Sequence, residues 1–312
     1  MHRFKFVLQR PLQLLPVLFG ISVVTFVLVQ LIPGDPARIL LGAKATPEAI
    51  AQIREQFGLD QPLVIQYFEF IRNLFEGNLG RSVVYRAPVL SVVATRIVPT
   101  SFLLAYGIIL SIVIALPMAL VAAWNAGRSA DHVVRLFTTT GIGLPPFWLG
   151  IMLMLLMSIK LRLFPVSGYG EGLFSHLHHL FLPAFTISVA LAPVLVRNLR
   201  ASLIGQLESD YVTAERAKGL TERVIYLRHV FRNSLIPTIN LLGVNVSWLI
   251  GGTVVIESVY SVPGLGQLMI SSIFARDYLV VQAVTLIFAV GVVLVNFLVD
   301  IATVALDPRV EM

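Results

Sequence analysis

The chain has 312 residues, 57% of them hydrophobic and 13% charged, with a mean hydropathy of +0.85. A soluble domain carries about a quarter charged residues, so an ordinary water-soluble enzyme is excluded and an integral membrane protein is implied. No cysteine is present, which excludes disulfides, thiolate nucleophiles and Cys-ligated metal sites, and the net charge of +6 reads as basic loops on one membrane face, not as a nucleic-acid surface.

In chain order, Arg3, Lys5 and Arg10 precede an apolar run over residues 12–32. The run is about 20 residues long, enough to span a bilayer, and no A-x-A-like site closes it. It is expected to be a retained first transmembrane helix with its N-terminus in the cytoplasm. Pro33-Gly34-Asp35-Pro36 ends it, and residues 37–94 form the least hydrophobic long stretch. Thr46 as N-cap, Pro47 at the first helical position and Gly58 past the end predict a helix with Ile50, Ile53 and Phe57 on one face. Pro62 opens another, with Leu63, Tyr67, Phe70 and Leu74 on one side and Gly77 as its stop. These two helices are expected to pack on the outer surface or on each other.

Five more apolar runs follow, over residues 98–124, 136–159, 180–196, 238–256 and 279–304, so the reading is an all-α protein with six spans. Thirteen basic residues fall on the side assigned to the cytoplasm, whereas the short outer loops hold only Lys160, Arg162 and Arg276. Seven more lie in the long segment after the first span, which the positive-inside rule discounts for its length. Both termini are therefore expected in the cytoplasm.

Between the fourth and fifth spans lies a polar island, residues 197–237. Asp210 suits an N-cap for a helix over residues 211–218, and Gly219 suits its left-handed stop. Thr221 can cap a second helix with Val224, Leu227 and Phe231 at i, i+3, i+7. Pro237 permits a first helical turn but not an interior one. Two short helices lying in water at the membrane surface offer a handle to something outside the bilayer.

Several motifs recur in a specific order. They are Leu31-Ile32-Pro33-Gly34-Asp35-Pro36, Gly58-Leu59-Asp60-Gln61-Pro62, Gly143-Leu144-Pro145-Pro146-Phe147-Trp148-Leu149-Gly150, and Phe164-Pro165-Val166-Ser167-Gly168. Asp210-Tyr211-Val212-Thr213-Ala214 with Ala217-Lys218-Gly219, then Arg232-Asn233-Ser234-Leu235-Ile236-Pro237, Glu257 with Pro263-Gly264-Leu265-Gly266, and Asp307-Pro308-Arg309 complete them. Over nearly its whole length the chain resembles the permease subunits of bacterial ATP-binding-cassette (ABC) importers of the dipeptide, oligopeptide and nickel type. Thr213-Ala214-Glu215 stands where Glu-Ala-Ala is common in the general signature, and this departure looks like the peptide branch.

The resemblance implies a type I ABC importer permease fold, with residues 1–94 an appended helix plus external segment and 95–305 a five-span core. It implies that residues 210–219 form the ATPase-coupling helix, with Asp210, Tyr211, Ala214, Glu215, Ala217, Lys218 and Gly219 as its working residues. It implies a homologous second permease, two ABC ATPases and an external solute-binding protein as partners, in the bacterial inner membrane. Its cargo would be di- or oligopeptides, with nickel, glutathione or opines as alternatives.

No G-x-x-x-x-G-K-[ST] loop occurs, so no cofactor is expected on this chain, and ATP and Mg would sit on the partner ATPases. Pro145 and Pro146, with Pro117, fall inside spans, where proline bends a helix that lines a pathway or merely sets its packing. Asn240, Asn245 and Ser247 are polar at membrane depth and either line a pathway or bond a neighbouring helix. Glu257, at the outer end of the fifth span, meets a solute amino group or a structural partner. His176, His178 and His179 suggest a metal relay or interfacial side chains, and no metal site is expected. No G-x-S-x-G or His–Glu zinc motif supports the competing reading of an intramembrane enzyme, and a passive channel is the other competitor.

Overall fold

The computed structural model describes residues 15–27, 30, 46–56 and 60–306, and these are helical with no strand among them. The helices are α1 (Leu15–Val27), α2 (Pro47–Gln56), α3 (Leu63–Phe75), α4 (Val89–Trp124), α5 (Ser129–Gly143), α6 (Pro146–Lys160), α7 (Leu173–Leu207), α8 (Asp210–Ala217), α9 (Glu222–Val259), α10 (Leu265–Phe274) and α11 (Tyr278–Leu306). Among the described residues α4, α7, α9 and α11 are each long and apolar enough to cross a membrane, and α5 with α6 makes a fifth, broken span. With α1 this agrees with six crossings. The remainder of the first apolar run, and Gly58, lie outside the described residues.

Lipid cannot hydrogen-bond backbone, so each span must satisfy its own amides as helix. The spans are longer than their apolar runs because their ends continue past the bilayer core. α4 begins at Val89, so a division at residue 94 falls inside a helix. α4 and α7 form the most extensive helix pair, and α7 is the most enclosed of the spans. Proline at 99, 117, 183 and 193 is carried inside these two helices without a break.

The third span departs from a single rod. α5 and α6 meet at a bend of 102° at Leu144-Pro145. Pro146 forces Pro145 out of the helical region, to ψ 126°, and Pro146 then starts α6 at its first position, where its missing N–H is harmless.

α3 matches its sequence reading. Pro62 precedes it, and Gly77 at φ +74° ends it with Asn78 N–H donating to Asn73 O. Its partner differs from the expected one, because it packs on the first apolar helix. Tyr67 meets Phe19 and Phe26 edge-on, and its hydroxyl lies 2.8 Å from Ser22 Oγ. The polar Ser22 thus gains a partner that only a tyrosine on α3 supplies.

The second helix of the polar island is not separate. It runs into the fifth span as one 38-residue helix, α9, with Pro237 in its interior. Residues Ile225–Val230 form a π-helical stretch, whose hydrogen bonds span five residues. Ile225 and Val230, five apart, are therefore the buried pair, while Val224 and Leu227 of the expected apolar face are exposed. The wider turn rotated the register that a 3.6-residue period predicts. Burial of Ile225 and Val230 against the bundle holds the helix together ahead of Pro237, outweighing the proline penalty.

Candidate functional site

α8 is the element displayed at one end of the bundle. Ser209, extended at ψ 151°, is the residue preceding it, so Asp210 is its first helical residue and not the N-cap. In that position the Asp210 carboxylate still complements the helix dipole. Gly219 closes the helix at φ +81°, with Gly219 N–H donating to Arg216 O and Leu220 N–H to Glu215 O. That pairing is a Schellman stop, and a Cβ at Gly219 would strain it.

Val212 is the one fully buried side chain of α8 and belongs to the apolar cluster that also holds Leu199, Leu203, Ile225 and Val230. Tyr211 is half-buried and donates to Gln206 Oε1 at 2.8 Å. Glu215 Oε1 lies 3.2 Å from His229 Nδ1 on the π-helical turn, and its other oxygen is buried without a hydrogen-bond partner among the described residues. The opposite face, with Asp210, Ala214, Ala217, Lys218 and Gly219, is exposed. Arg216 pairs there with Glu222 at 2.7 Å, and the hydrogen bond to that carboxylate holds the guanidinium above its already high pKa. A short helix with one greasy anchor and a mixed-charge outer face is suited to transmit a push. Val212 and Arg216 were not among the working residues expected from the motif. The signal for Val212 is a lone branched aliphatic residue in a polar run.

Near the other end, Glu257 is fully buried and its partners are all internal. Its Oε1 accepts the Thr100 hydroxyl at 2.6 Å, and its Oε2 accepts Gly266 N–H at 2.7 Å and Gln267 N–H at 3.1 Å. Those amides are the second and third of α10, so Glu257 caps that helix from a distance. Thr100 completes the clasp by accepting Leu265 N–H at 2.8 Å. Gly264 is required because a Cβ there would strike the carboxylate. The structure thus assigns Glu257 a structural partner set, and Thr100 is the member that sequence reasoning missed. A threonine following Pro99 in an apolar run was the available signal.

The remaining pathway candidates are dispersed. Pro145 and Pro146 sit exposed at the α5–α6 bend. Asn240 Oδ1 accepts from Thr303 on α11 at 2.8 Å, whereas Asn245 and Ser247 donate to Leu241 O and Gly243 O of their own helix. Among the described residues no three His, Cys, Asp or Glu side chains gather as a metal site. His176, His178 and His179 instead bond the carbonyls of Tyr169, Leu163 and Ser175, and His176 stacks on Tyr169 at 3.9 Å. His176 and His178 tie the loop ahead of α7 to that helix, whereas His179 bonds within it.

A further clasp lies at the α8 end. Asp131 on α5 is buried and receives Arg200 of α7 in a two-pronged pair, at 2.5 and 2.6 Å, plus Gly127 N–H at 3.0 Å.

A broken span, a helix α10 capped by a buried carboxylate and an exposed short helix at one end of an all-α bundle fit a polytopic permease of the ABC importer kind. The chain belongs to the binding-protein-dependent transport system inner membrane component family, whose model matches residues 115–312, and the model for that family's N-terminal part matches residues 3–105. It is similar to the glutathione transport system permease protein GsiC of Salmonella choleraesuis (strain SC-B67), 37% identical over 306 residues with 98% of each chain covered. GsiC of Escherichia coli (strain K12) is 36% identical over the same shares. An inward-facing structure of the MetNI methionine ABC transporter aligns with a TM-score of 0.55 at 17% identity, over 69% of this chain and 95% of that one, which is a likeness of fold. The chain is therefore a transport subunit and not the ATPase.

Proposed function

We propose that this permease imports a small peptide-like solute by alternating access and is driven through α8. Two ATPases hydrolyse ATP with Mg, a homologous second permease completes the pathway, and an external binding protein delivers the solute. The α8 end and both termini face the cytoplasm, as the distribution of basic residues supports. The observation that carries the reading is the docking of α8 through Val212 with its outer face exposed. A push on that face is passed by Val212 and the Glu215–His229 contact to α7 and α9, two rigid spans. The exposed stripe of α9, with Val244, Trp248 and Val255, is the surface offered to the second permease.

Glutathione, itself a tripeptide, is the first solute to test because relatives covering the whole chain are named for it. Other short peptides follow, with nickel or opines as the remaining alternatives. The test is reconstitution of the full complex in proteoliposomes, reading uptake and ATP hydrolysis together. Lys218→Glu, on the exposed face, is expected to abolish solute-stimulated hydrolysis and uptake together while leaving membrane insertion intact. Wild-type uptake in that variant, and in one with α8 disrupted by Ala214→Pro, would refute the coupling role.

A further inference from the structure

At the α8 end, α5 and α7 diverge to leave a cleft of about 500 Å³. Arg135, Thr138 and Ile142 line it from α5, and Val196, Arg197 and Arg200 from α7. Three guanidinium groups there face one carboxylate, Asp131, so the cleft carries two positive charges in excess. Of the three arginines, Asp131 forms a salt bridge with Arg200, and it holds that side chain in place. Arg135 and Arg197 have no acidic partner at salt-bridge distance among the described residues.

The cleft is of ligand size, and its floor is Val196 and Thr138, both buried. Its rim changes character along the span direction. The arginines lie toward the end of the bundle, and the exposed Ile142 follows about two turns beyond Arg135 along α5. A soluble anion would use only the arginines, whereas a headgroup with chains attached would use the charge and the apolar rim together. Basic pockets between spans are where anionic lipid headgroups settle.

We propose that this cleft binds a phosphate-bearing anion, with Arg135 and Arg197 as its direct ligands and Arg200 held by Asp131 as a positioning residue; an anionic phospholipid is the source that the apolar rim favours. The assignment does not depend on which side of the membrane this end faces, nor on the solute transported.

The test uses the full chain purified in detergent, with lipid binding read by native mass spectrometry. Short-chain phosphatidylglycerol, short-chain phosphatidylcholine and inorganic phosphate are titrated separately, and phosphate also competes against phosphatidylglycerol. Phosphatidylglycerol is expected to bind more tightly than phosphatidylcholine. The double variant Arg135→Gln/Arg197→Gln is expected to weaken it about thirtyfold, each arginine being worth roughly fivefold at an anionic surface. Arg135→Lys/Arg197→Lys should recover most of that loss, which separates charge from folding. Arg223→Gln/Arg232→Gln, exposed arginines at the same end, should weaken binding far less. Displacement by inorganic phosphate at matched concentration supports the site and assigns its source to a soluble ion. Equal binding of the two lipids, or equal losses in both double variants, would overturn the proposal. So would loss of co-purifying partner permease with lipid binding unchanged, because the cleft would then be a protein contact.

Discussion

Removal of the Glu257 carboxylate tests whether that buried group is a structural clasp. Glu257→Ala strands three donors, the Thr100 hydroxyl and the amides of Gly266 and Gln267, in a site closed to solvent at the carboxylate. A buried donor left unmet costs about 1–3 kcal/mol. Gln267 is only partly buried and water can reach it, so the sum is about 3–5 kcal/mol, cavity included. A chain of 312 residues loses about 1.5 °C in Tm per kcal/mol, so unfolding in detergent should shift down by about 5–8 °C. Glu257→Gln keeps one acceptor oxygen and should lose about half as much. In a double-mutant cycle with Thr100→Val, the two losses should overlap by about 1–2 kcal/mol, because both sever the same bond. The assay is thermal unfolding of the purified chain, followed by uptake with several solutes. An unchanged Tm together with an altered solute preference would refute the clasp and return Glu257 to the pathway.

Three further predictions follow from the same geometry. Asp131→Asn leaves Arg200 without its carboxylate and should destabilise by about 2–4 kcal/mol, moderated because Arg200 is partly exposed; Asp131→Asn/Arg200→Met should recover much of this in thermal unfolding. Val212→Ala empties the single docking pocket of α8 at a cost of about 1–2 kcal/mol, and Gly219→Ala strains its left-handed stop by about 1 kcal/mol. Both should lower the ratio of solute imported to ATP hydrolysed in proteoliposomes, with little change in yield. Replacing His176, His178 and His179 by Gln should leave solute uptake unchanged, since these rings bond backbone carbonyls; loss of uptake by a variant that still inserts and unfolds at the wild-type Tm would contradict this.

The membrane class, the positions of the apolar spans and the stops at Gly77 and Gly219 were legible because each rests on local chemistry. Hydropathy over about 20 residues and a glycine at positive φ depend on neighbours in sequence. The motif order also pointed to the family, because spacing along the chain is itself a sequence property.

What sequence could not show depends on partners distant along the chain. The Glu257 clasp joins residues 157 apart, and the Asp131–Arg200 pair joins residues 69 apart. The π-helical turn before Phe231 changed which residues face inward, a choice made by the packing of Ile225 and Val230 and invisible to a 3.6-residue period. Similarly, Pro145 and Pro146 announced a bend, but its 102° angle is set by how α5 and α6 pack on α7. The sequence by itself determined that the chain crosses a membrane and where it leaves it, because lipid and water sort residues one segment at a time. Tertiary structure alone decided which buried charges pair and which helix face remains free, because those depend on the few ångströms between helices.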